Sequence, residues 1–497
     1  MSLRLHRSFL FLALCAPLFA QAPAESSAKL ASDFIPADKM AKYADLALEL
    51  ELQYLKTDTS NPPGNEARAA EWFKQVLDKE GIENKTFEFA PGRENIWACL
   101  PRTAKPANAT CEQDVQSSPQ NHRPIILLSH EDVVTSNPSR WRVPPFSAQI
   151  LDGAIYARGA QDMKSEGLAQ LMAMIMLKRE HVPLERDVIL MATGDEEVNF
   201  EGSGWMIAHQ KPLFASAEFL MTEGGENLNE NGKAKYVGID VAEKTPFWLT
   251  VTATGRPGHG SRPIANSAPV ELIKALDKII NYQTPLIVTP VVDEFFKGMA
   301  QYEPPDRARY YRDIRAGLKD AAFRASLEND PSTNYLLRNT ISLTMLQGSP
   351  QTNVIPGVAS ANLDVRLLPG QDPQQFLADI RKVAAMPNVT VAPEQSGFRP
   401  ANASPMDSAL MNAIRKVSAH YFPGAPVVPH LTSGVDENQI YRTLGIACYG
   451  YSPYTATAAA GATAHGDNER IRVEEVRHGF RVLYDVVTQV AAAPSSQ

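Results

Sequence analysis

Three short apolar runs in the first half of the chain each end abruptly in acidic or histidine residues. The runs are residues 125–128, 187–193 and 218–222, and they are followed by His130 with Asp132, by the triplet 195–197, and by Glu223. Apolar runs of this length are typical of buried strands. Ligands of open α/β sheets sit beyond the carboxyl ends of such strands. We therefore expect these polar side chains to project into one cleft.

Helical periodicity fills the stretches between and around these strands. Helices are predicted over residues 37–56, 66–80, 167–178 and 203–210, and further strands over 86–89 and 95–98. Strands that alternate with helices predict an α/β fold with a mainly parallel sheet. The fold class we predict is a phosphorylase/hydrolase-like sheet of this kind, flanked by helices.

The pattern changes near residue 246. Strands are predicted over 247–254, 339–346, 359–367 and 389–391, with helices over 268–282 and 372–385; residues 283–335 have an irregular or helical pattern and are interpreted as an insertion. Strands and helices without strict alternation indicate a separate α+β domain. After residue 397 the alternation resumes, with a helix over 404–421, a strand over 446–450 and a helix over 473–492. The prediction is a first domain over 23–245 and 397–497, interrupted by an inserted domain over 246–396.

The N-terminus predicts a cleavable signal peptide over residues 1–22. Arg4 and Arg7 precede an apolar stretch at 8–19, which is followed by small residues near a candidate cleavage site at Ala20 or Ala22. This arrangement is typical of secretory signals, and the stretch is short for a membrane span. A buried N-terminal helix is the alternative. We expect an exported protein, periplasmic or secreted, with no membrane segment in its mature form.

Composition narrows the range of partners. The chain of 497 residues is 44% hydrophobic and 21% charged, as in ordinary globular proteins, and its net charge of -8 argues against nucleic acid as a partner. In an oxidising compartment Cys99 and Cys111 could close a small disulfide ring, which would leave Cys448 as a buried thiol. Their spacing alone does not establish the bond.

Acidic side chains at the ends of buried strands are costly unless a partner compensates their charge. The chain has several of them, and it also carries Asp162 before a helix and His465 near its end. A pair of divalent metal ions is the simplest compensation, because zinc binds histidine nitrogen and carboxylate oxygen. Two such ions can share a carboxylate and activate water. Neither a paired-histidine HExxH helix, a nucleophile elbow nor a Walker loop is present.

Taken in order, these motifs resemble the dinuclear zinc aminoacylase / carboxypeptidase G / succinyl-diaminopimelate desuccinylase superfamily of metallopeptidases. The resemblance spans nearly all of the chain after the signal peptide. It implies two Zn²⁺ ions, with Co²⁺ or Mn²⁺ as substitutes. The implied ligands are His130, Asp162 as the bridging carboxylate, Glu197, Glu223 and His465. It also implies Glu196 as general base and Asp132 as the acid that orients His130.

The same resemblance assigns roles outside the metal set. It implies that the inserted domain is a ferredoxin-like lid or dimerisation domain, through which the chain could form a homodimer. His259 would stabilise the oxyanion, Asn353 and Arg366 would hold a substrate carboxylate, and Gly434 would belong to an active-site loop. His259 as a cap of a Gly-rich turn and Arg366 as a strand-pairing arginine are the structural alternatives.

The resulting hypothesis is a secreted hydrolase that cleaves amide bonds of small carboxylate-bearing substrates. These are dipeptides, C-terminal residues of peptides, or N-acyl amino acids, attacked by water that the metals activate. One alternative is an N-acyl amino acid amidohydrolase with a condensing activity rather than a peptidase. Another is a catalytically silent, metal-dependent binding protein, and a third is a secreted interaction module. The sequence does not specify the acyl group or the side chain of the substrate.

Overall fold

The computed structural model describes residues 29–105, 109–225, 227–230, 233–394, 402–457 and 463–493. The predicted signal peptide lies outside these residues. Within them, no helix combines the length and the apolar character that crossing a membrane requires.

The strands and helices largely follow the predicted order. The strands are β1 (Ser60–Asn61), β2 (Glu83–Ala90), β3 (Arg93–Leu100), β4 (Ile125–His130), β5 (Val133–Val134), β6 (Gln149–Leu151), β7 (Ala154–Tyr156), β8 (Val188–Thr193), β9 (Phe219–Thr222), β10 (Asn227–Glu230), β11 (Lys233–Glu243), β12 (Thr245–Pro246), β13 (Leu249–Thr254), β14 (Gly258–His259), β15 (Thr340–Gln347), β16 (Val354–Ile355), β17 (Val358–Leu367), β18 (Val389–Pro393), β19 (Val427–Thr432), β20 (Ala447–Gly450), β21 (Ala456–Thr457) and β22 (Arg470–Arg472). The α-helices are α1 (Ala37–Tyr54), α2 (Ala67–Glu80), α3 (Cys111–Gln116), α4 (Lys164–Arg179), α5 (Glu201–His209), α6 (Ala268–Ile280), α7 (Pro290–Met299), α8 (Pro305–Arg312), α9 (Ile314–Gly317), α10 (Ala321–Glu328), α11 (Pro331–Asn334), α12 (Pro373–Val383), α13 (Ala409–Tyr421), α14 (Asn438–Arg442) and α15 (Val473–Ala491).

The largest sheet places the three predicted apolar strands side by side. Its order is β2-β3-β8-β4-β9-β20-β11-β10-β21, and β19 also pairs with β11. The central strands β8, β4, β9 and β20 are parallel, and antiparallel pairs join β3 to β8 and β11 to β20. The predicted α/β fold is therefore confirmed. Because β8, β4 and β9 run in one direction, their carboxyl ends meet at one edge.

Both faces of this sheet are covered. Successive side chains of a strand point to opposite faces. Accordingly Ile125 and Leu127 pack in a core with helices α1, α4 and α15, whereas Ile126 and Leu128 pack in a second core on the other face. Burial on both sides explains why β4 is continuously apolar instead of alternating with polar residues.

The second sheet has the predicted ferredoxin-like arrangement. Strands β15, β17, β13 and β18 lie in that order and pair antiparallel. Helix α6 follows β13, and α12 follows β17. Alternate residues of β17 from Ala359 to Leu367 are buried in a separate core with α6 and α12, and the residues between them face the other side. We refer to this body as the lid domain.

The insertion predicted over 283–335 is helical and packs on the larger body. Helices α7 to α11 occupy most of it. Val292, Phe296 and Ile314 are fully buried in the same core as Ile125 of the main sheet. Although this segment interrupts the lid domain in the chain, its apolar face is therefore buried against the first body.

Candidate metal centre

The predicted metal-site residues meet at the carboxyl edge of the parallel strands. His130 is the last residue of β4, Glu223 follows β9 directly, and Glu197 lies in the turn after β8. Asp162 stands just before α4 and is joined to Met163 by a cis peptide bond, and His465 lies in the loop before β22. Side chains from five separate segments thus converge on one point.

Asp162 lies between two groups of potential ligands. Its Oδ1 is 3.0 Å from His130 Nε2, which is also 3.6 Å from Glu223 Oε2. Its Oδ2 is 3.0 Å from His465 Nε2, which is in turn 3.0 Å from Glu197 Oε2. Within each group of three the ligand atoms lie within 4.8 Å of one another. The two oxygens of one carboxylate therefore serve two adjacent clusters.

The charges at this site are poorly balanced by the protein itself. Burial and the neighbouring Asp162 carboxylate raise the pKa of Glu223 to about 8. Burial and Glu223 raise the pKa of Glu196 well above its ordinary value. Glu197 Oε1 is buried and has no hydrogen-bond partner within the described ranges. Crowded carboxylates with an unpartnered oxygen and two histidines fit a pair of divalent cations, because cations would compensate the charge and accept these donor atoms.

Neighbouring carboxylates raise the pKa of both histidines, and Asp162 acts on each of them. Burial alone would lower the pKa of His130, but the carboxylates of Glu223 and Asp162 raise it well above its ordinary value. Hydrogen bonds to Asp162 and Glu197 raise the pKa of His465 to about 10. His130 is fully buried, and the side chain of His465 is 55% exposed. The cluster that contains His465 is therefore the more exposed of the two.

Asp132 supports the centre in a way that differs from the prediction in one detail. His130 Nδ1 lies 3.0 Å from the backbone oxygen of Asp132 and 3.7 Å from its carboxylate. The carboxylate instead accepts hydrogen bonds from the backbone N–H groups of Glu196 (3.0 Å) and Glu197 (3.2 Å). Asp132 thus fixes the histidine ring through its backbone and the acidic turn through its side chain.

A buried ion pair organises the loops that carry Asp162 and His465. The carboxylate of Glu469 accepts hydrogen bonds from the backbone N–H groups of Gly159 (3.0 Å), Gln161 (2.7 Å) and Asp162 (3.2 Å). Arg158 contacts Glu469 at 2.5 Å and donates to the backbone oxygen of His465 at 3.3 Å. These contacts therefore fix the relative position of two loops that are more than 300 positions apart in the chain.

The acidic turn is held from its outer side by residues that sequence reasoning missed. Asn61 Nδ2 donates to Asp132 Oδ2 and to Asp195 Oδ1, both at 2.9 Å. Arg93 contacts Asp195 at 2.8 Å and also forms a salt bridge with buried Glu66. The sequence signals for this network were the Asn-Pro-Pro-Gly turn at residues 61–64 and a third acid beside the predicted base. Neither signal indicates a contact between distant segments.

The lid residues are grouped in two places. His259 on β14 pairs with Val354 on β16, and Gly260 N donates to Asn353 O at 2.7 Å. This two-stranded ribbon is exposed, and in the described residues no hydrogen bond or ion pair links His259 to the metal-site side chains. Arg366 is bound by Asp364 through two hydrogen bonds of 2.8 and 3.1 Å. The guanidinium fork is therefore occupied by an intramolecular carboxylate.

The loop around Gly434 approaches the acidic turn through its neighbours. Gly434 itself is exposed, and its N–H donates to Thr432 Oγ1 at 3.3 Å. Glu437, three residues further on, is buried and accepts hydrogen bonds from Thr193 Oγ1 (2.8 Å) and from Ser203. Thr193 is the last residue of β8, so this loop contacts the strand from which the acidic turn begins.

A family model described as peptidase family M20/M25/M40 matches residues 126–489. Among curated proteins, an N-fatty-acyl-amino acid synthase/hydrolase PM20D1 of Xenopus tropicalis is 29% identical over 371 residues, which cover 73% of this chain and 71% of that protein. Aminoacylase-1 of Homo sapiens is 25% identical over 453 residues, which cover 89% of this chain and 95% of that protein.

Solved structures share the fold. The M20 family metallo-carboxypeptidase Sso-CP2 from Sulfolobus solfataricus superimposes with a TM-score of 0.64 at 19% identity, over 89% of this chain and 99% of that one. Human carnosine dipeptidase 1 superimposes with a TM-score of 0.61 at 14% identity, over 91% and 99% of the two chains. At this level of identity the likeness concerns the fold.

Proposed function

Because the chain belongs to peptidase family M20/M25/M40, whose members are metal-dependent amide hydrolases, we propose that it is a dinuclear zinc hydrolase of small carboxylate-bearing amides. The substrates are dipeptides, C-terminal residues of peptides, or N-acyl amino acids. The single observation that carries this proposal is the position of Asp162, whose two oxygens each lie 3.0 Å from a histidine of a different cluster.

Each residue of the centre has a defined part. His130, Glu223 and Asp162 would hold one zinc ion, and Asp162, Glu197 and His465 the other. When bound, zinc supplies a Lewis acid that polarises the scissile carbonyl and makes water acidic near neutral pH. Glu196 takes a proton from the attacking water and passes it to the leaving amine. Its raised pKa, caused by burial and by Glu223, suits a group that must both accept and release a proton.

The lid domain would complete the site. In the proposal Arg366 exchanges Asp364 for the substrate carboxylate, which Asn353 also binds, and His259 stabilises the oxyanion. A homodimer formed through the lid domain would allow this exposed histidine to reach the centre of a second copy. Met345 at 52% and Val358 at 56% exposure lie on the same open face of the neighbouring strands β15 and β17, and exposed apolar side chains on one face support such a contact. Sedimentation of the mature protein as a monomer would remove this part of the proposal.

Export is also part of the proposal. The predicted signal over 1–22 is supported by the disulfide between Cys99 and Cys111, because structural disulfides persist in oxidising compartments. Recovery of the mature chain in a periplasmic or extracellular fraction, cleaved near residues 20–22, is the expected result.

A second candidate is condensation of acids with amino acids, together with the reverse hydrolysis. The names of the PM20D1 relatives, which describe N-fatty-acyl-amino acid synthase/hydrolase proteins, support it. Because an enzyme accelerates both directions of a reaction, the same centre would serve, and the preferred acyl group would separate the two candidates.

The test is amine release by the zinc-loaded mature protein from a matched panel of dipeptides and N-acyl amino acids. We expect Glu196→Gln to lower kcat by about 10²–10⁴-fold while the zinc content is unchanged. Glu201→Gln removes an exposed carboxylate five residues away and is the matched control, with kcat as in the unmodified protein. Normal turnover by a zinc-loaded Glu196→Gln protein would contradict the proposed mechanism.

A further inference from the structure

A cavity of about 280 Å³ adjoins the metal centre. Asp162 and Glu223 form part of its wall, and it extends past Ser452 to Tyr454 and Ile471. A cavity of this size is near the lower end of the range for small-molecule pockets. Asp162 and Glu223 line both the cavity and the metal centre. A substrate with its scissile carbonyl at the metals would therefore extend one of its ends into the cavity.

The wall of the cavity contains an acid that the proposed mechanism does not use. Glu166 lies in the first turn of α4, is only 7% exposed, and lines the cavity. Ser452 is close to its side chain, and no ion pair involving it occurs among the described residues. The charges that act on it most strongly include the carboxylates of Glu223 and Asp162. Glu166 is therefore an acidic group in the wall of the cavity that has no basic partner among the described residues.

A second acceptor in the same wall, the side-chain oxygen of Asn227, has no partner in the described part of the chain. Asn227 is 3% exposed, and its amide donates to the backbone oxygens of Ser452 (2.6 Å) and Tyr454 (2.9 Å). These two bonds fix the orientation of the side chain, and its Oδ1 is buried without a hydrogen-bond partner among the residues that the structure describes. Buried acceptors normally find donors, so the wall is suited to a ligand rich in N–H groups.

The arginines that line the cavity are already engaged. Arg472 is hydrogen-bonded to Glu475, which also accepts from Thr455 at 2.9 Å. Arg470 donates to Asn468 O at 3.0 Å, and its guanidinium lies over the Tyr156 ring at 5.6 Å. Neither compensates Glu166. A long aliphatic group placed here would bury the carboxyl of Glu166 against hydrocarbon, which is costly.

From these contacts we propose that the cavity binds the acyl side of the substrate and that Glu166 selects an acyl group bearing a protonated amine. The inference rests on the proposed function, and it names the substrate class: peptides with a free amino group close to the scissile bond, in preference to fatty-acyl amino acids. The ammonium group would donate hydrogen bonds to Glu166 and Asn227. The amine can sit on the α- or the β-carbon of the acyl residue.

Matched substrates isolate the amine. Alanyl-leucine and propionyl-leucine differ only by the amino group, β-alanyl-leucine moves that group by one carbon, and decanoyl-leucine provides a fatty-acyl chain. We expect kcat/KM for one or both amine-bearing substrates to exceed that for propionyl-leucine by about tenfold or more, since a site built to pair a polar group discriminates against analogues that lack it. The α/β comparison locates the amine.

Variants assign the preference to Glu166. Glu166→Leu should abolish most of the preference, and the isosteric Glu166→Gln, which keeps the shape and one acceptor, should reduce it. Glu475→Gln is the control, because it removes a carboxylate from the same cavity that already has Arg472 as its partner, and the preference should survive. Equal or faster turnover of propionyl- or decanoyl-leucine by the unmodified protein would overturn the inference, as would a preference that survives in Glu166→Gln and Glu166→Leu.

A binding measurement keeps this inference separate from the proposed function. The zinc-loaded protein is titrated calorimetrically with a hydrolysis-resistant phosphinic analogue of alanyl-leucine and with its des-amino counterpart. Tighter binding of the amine-bearing analogue, lost in Glu166→Leu, supports the inference even if no amide in the panel is cleaved, in which case the proposed function alone has failed. Equal binding of the two analogues overturns the inference.

Discussion

Asn61 donates a hydrogen bond of 2.9 Å to the carboxylate of Asp132, although the two residues are 71 positions apart. The same amide nitrogen donates to Asp195 at 2.9 Å. Asp132 in turn accepts the backbone N–H groups of Glu196 and Glu197. One buried amide thus joins the residue that fixes the His130 ring to the turn that carries the proposed base and a proposed zinc ligand.

Removal of the Asn61 amide should displace the proposed base Glu196 without loss of the bound zinc ions. We expect Asn61→Ala to lower kcat by about 10–100-fold, with a smaller change in KM, because small displacements of catalytic groups have large effects on rate. Asn61→Asp should be at least as damaging, since it places a third carboxylate beside Asp132 and Asp195. Steady-state kinetics at measured zinc content is the test. Asn281→Ala, at an exposed position, is the control, and unchanged kcat in Asn61→Ala would show that the amide has no positioning role.

The shared carboxylate predicts a linked loss of both metals. Asp162→Asn should weaken zinc binding more than about a hundredfold, because changes even to outer-shell partners of metal ligands commonly weaken binding 10–100-fold. Zinc content after dialysis against a weak chelator measures this effect. Asp152→Asn, which alters an exposed carboxylate ten residues away, should retain the full metal content. Retention of two zinc ions by Asp162→Asn would mean that this side chain does not bridge them.

A buried acid outside the centre predicts a pH-dependent contribution to stability. Glu51 is fully buried, one of its oxygens has no hydrogen-bond partner in the described structure, and burial raises its pKa from 4.5 to about 7. Between these values the native state binds more protons than the unfolded state, so the free energy of unfolding falls as the pH rises from about 4.5 to about 7. Above that pH range the cost of burying the ionised Glu51 carboxylate is fully present, and below it this cost is absent.

Glu51→Gln should remove this dependence. The unfolding free energy of the variant minus that of the unmodified protein should increase by about 3 kcal/mol from pH 4.5 to pH 8, as the size of the pKa shift requires. Denaturant titrations at the two pH values measure the difference. Glu49→Gln on the exposed side of the same helix should show no such gain. A parallel pH dependence in the Glu51→Gln variant and the unmodified protein would contradict the burial penalty assigned to Glu51.

The disulfide predicts a specific effect of reductant. Cys99 at the end of β3 is bonded to Cys111 at the start of α3, and Cys448 is a buried free thiol. Closure of a loop of this size stabilises a protein by about 3 kcal/mol. A Cys99→Ala/Cys111→Ala double variant should therefore lose roughly that amount and become insensitive to reductant. Thiol titration of the denatured mature chain should find one free thiol, and three would show that the bond does not form in the isolated protein.

The parts of the fold that were predictable from sequence are those in which local pattern and burial agree. Strand β4 is a continuous apolar run because the sheet is covered on both faces, and its end was marked by His130. Strand β11 was missed because Gly238 and Asp240 interrupt its apolar residues. Asp240 is buried in this strand through contacts that the sequence does not display, with His430 at 2.5 Å and with Gly225 N at 2.7 Å.

The site shows the same division. Asp162 and His465 stand in recognisable motifs, and their convergence follows from the order of the strands. The partners of the acidic turn were not predictable, because Asn61 and Arg93 contact Asp195 only after distant segments have packed together. For the same reason the pairing of Arg366 with Asp364 reveals an occupied guanidinium that its sequence motif could not indicate.

The most direct test of the account is amine release from the dipeptide and N-acyl amino acid panel, measured as zinc is returned stepwise to chelator-treated mature protein. We predict no release without metal and a rise in activity that reaches its plateau at two zinc ions per chain, with no recovery in Asp162→Asn. Full amide hydrolysis by the metal-free protein, or two bound zinc ions with no hydrolysis anywhere in the panel, would contradict the proposed function.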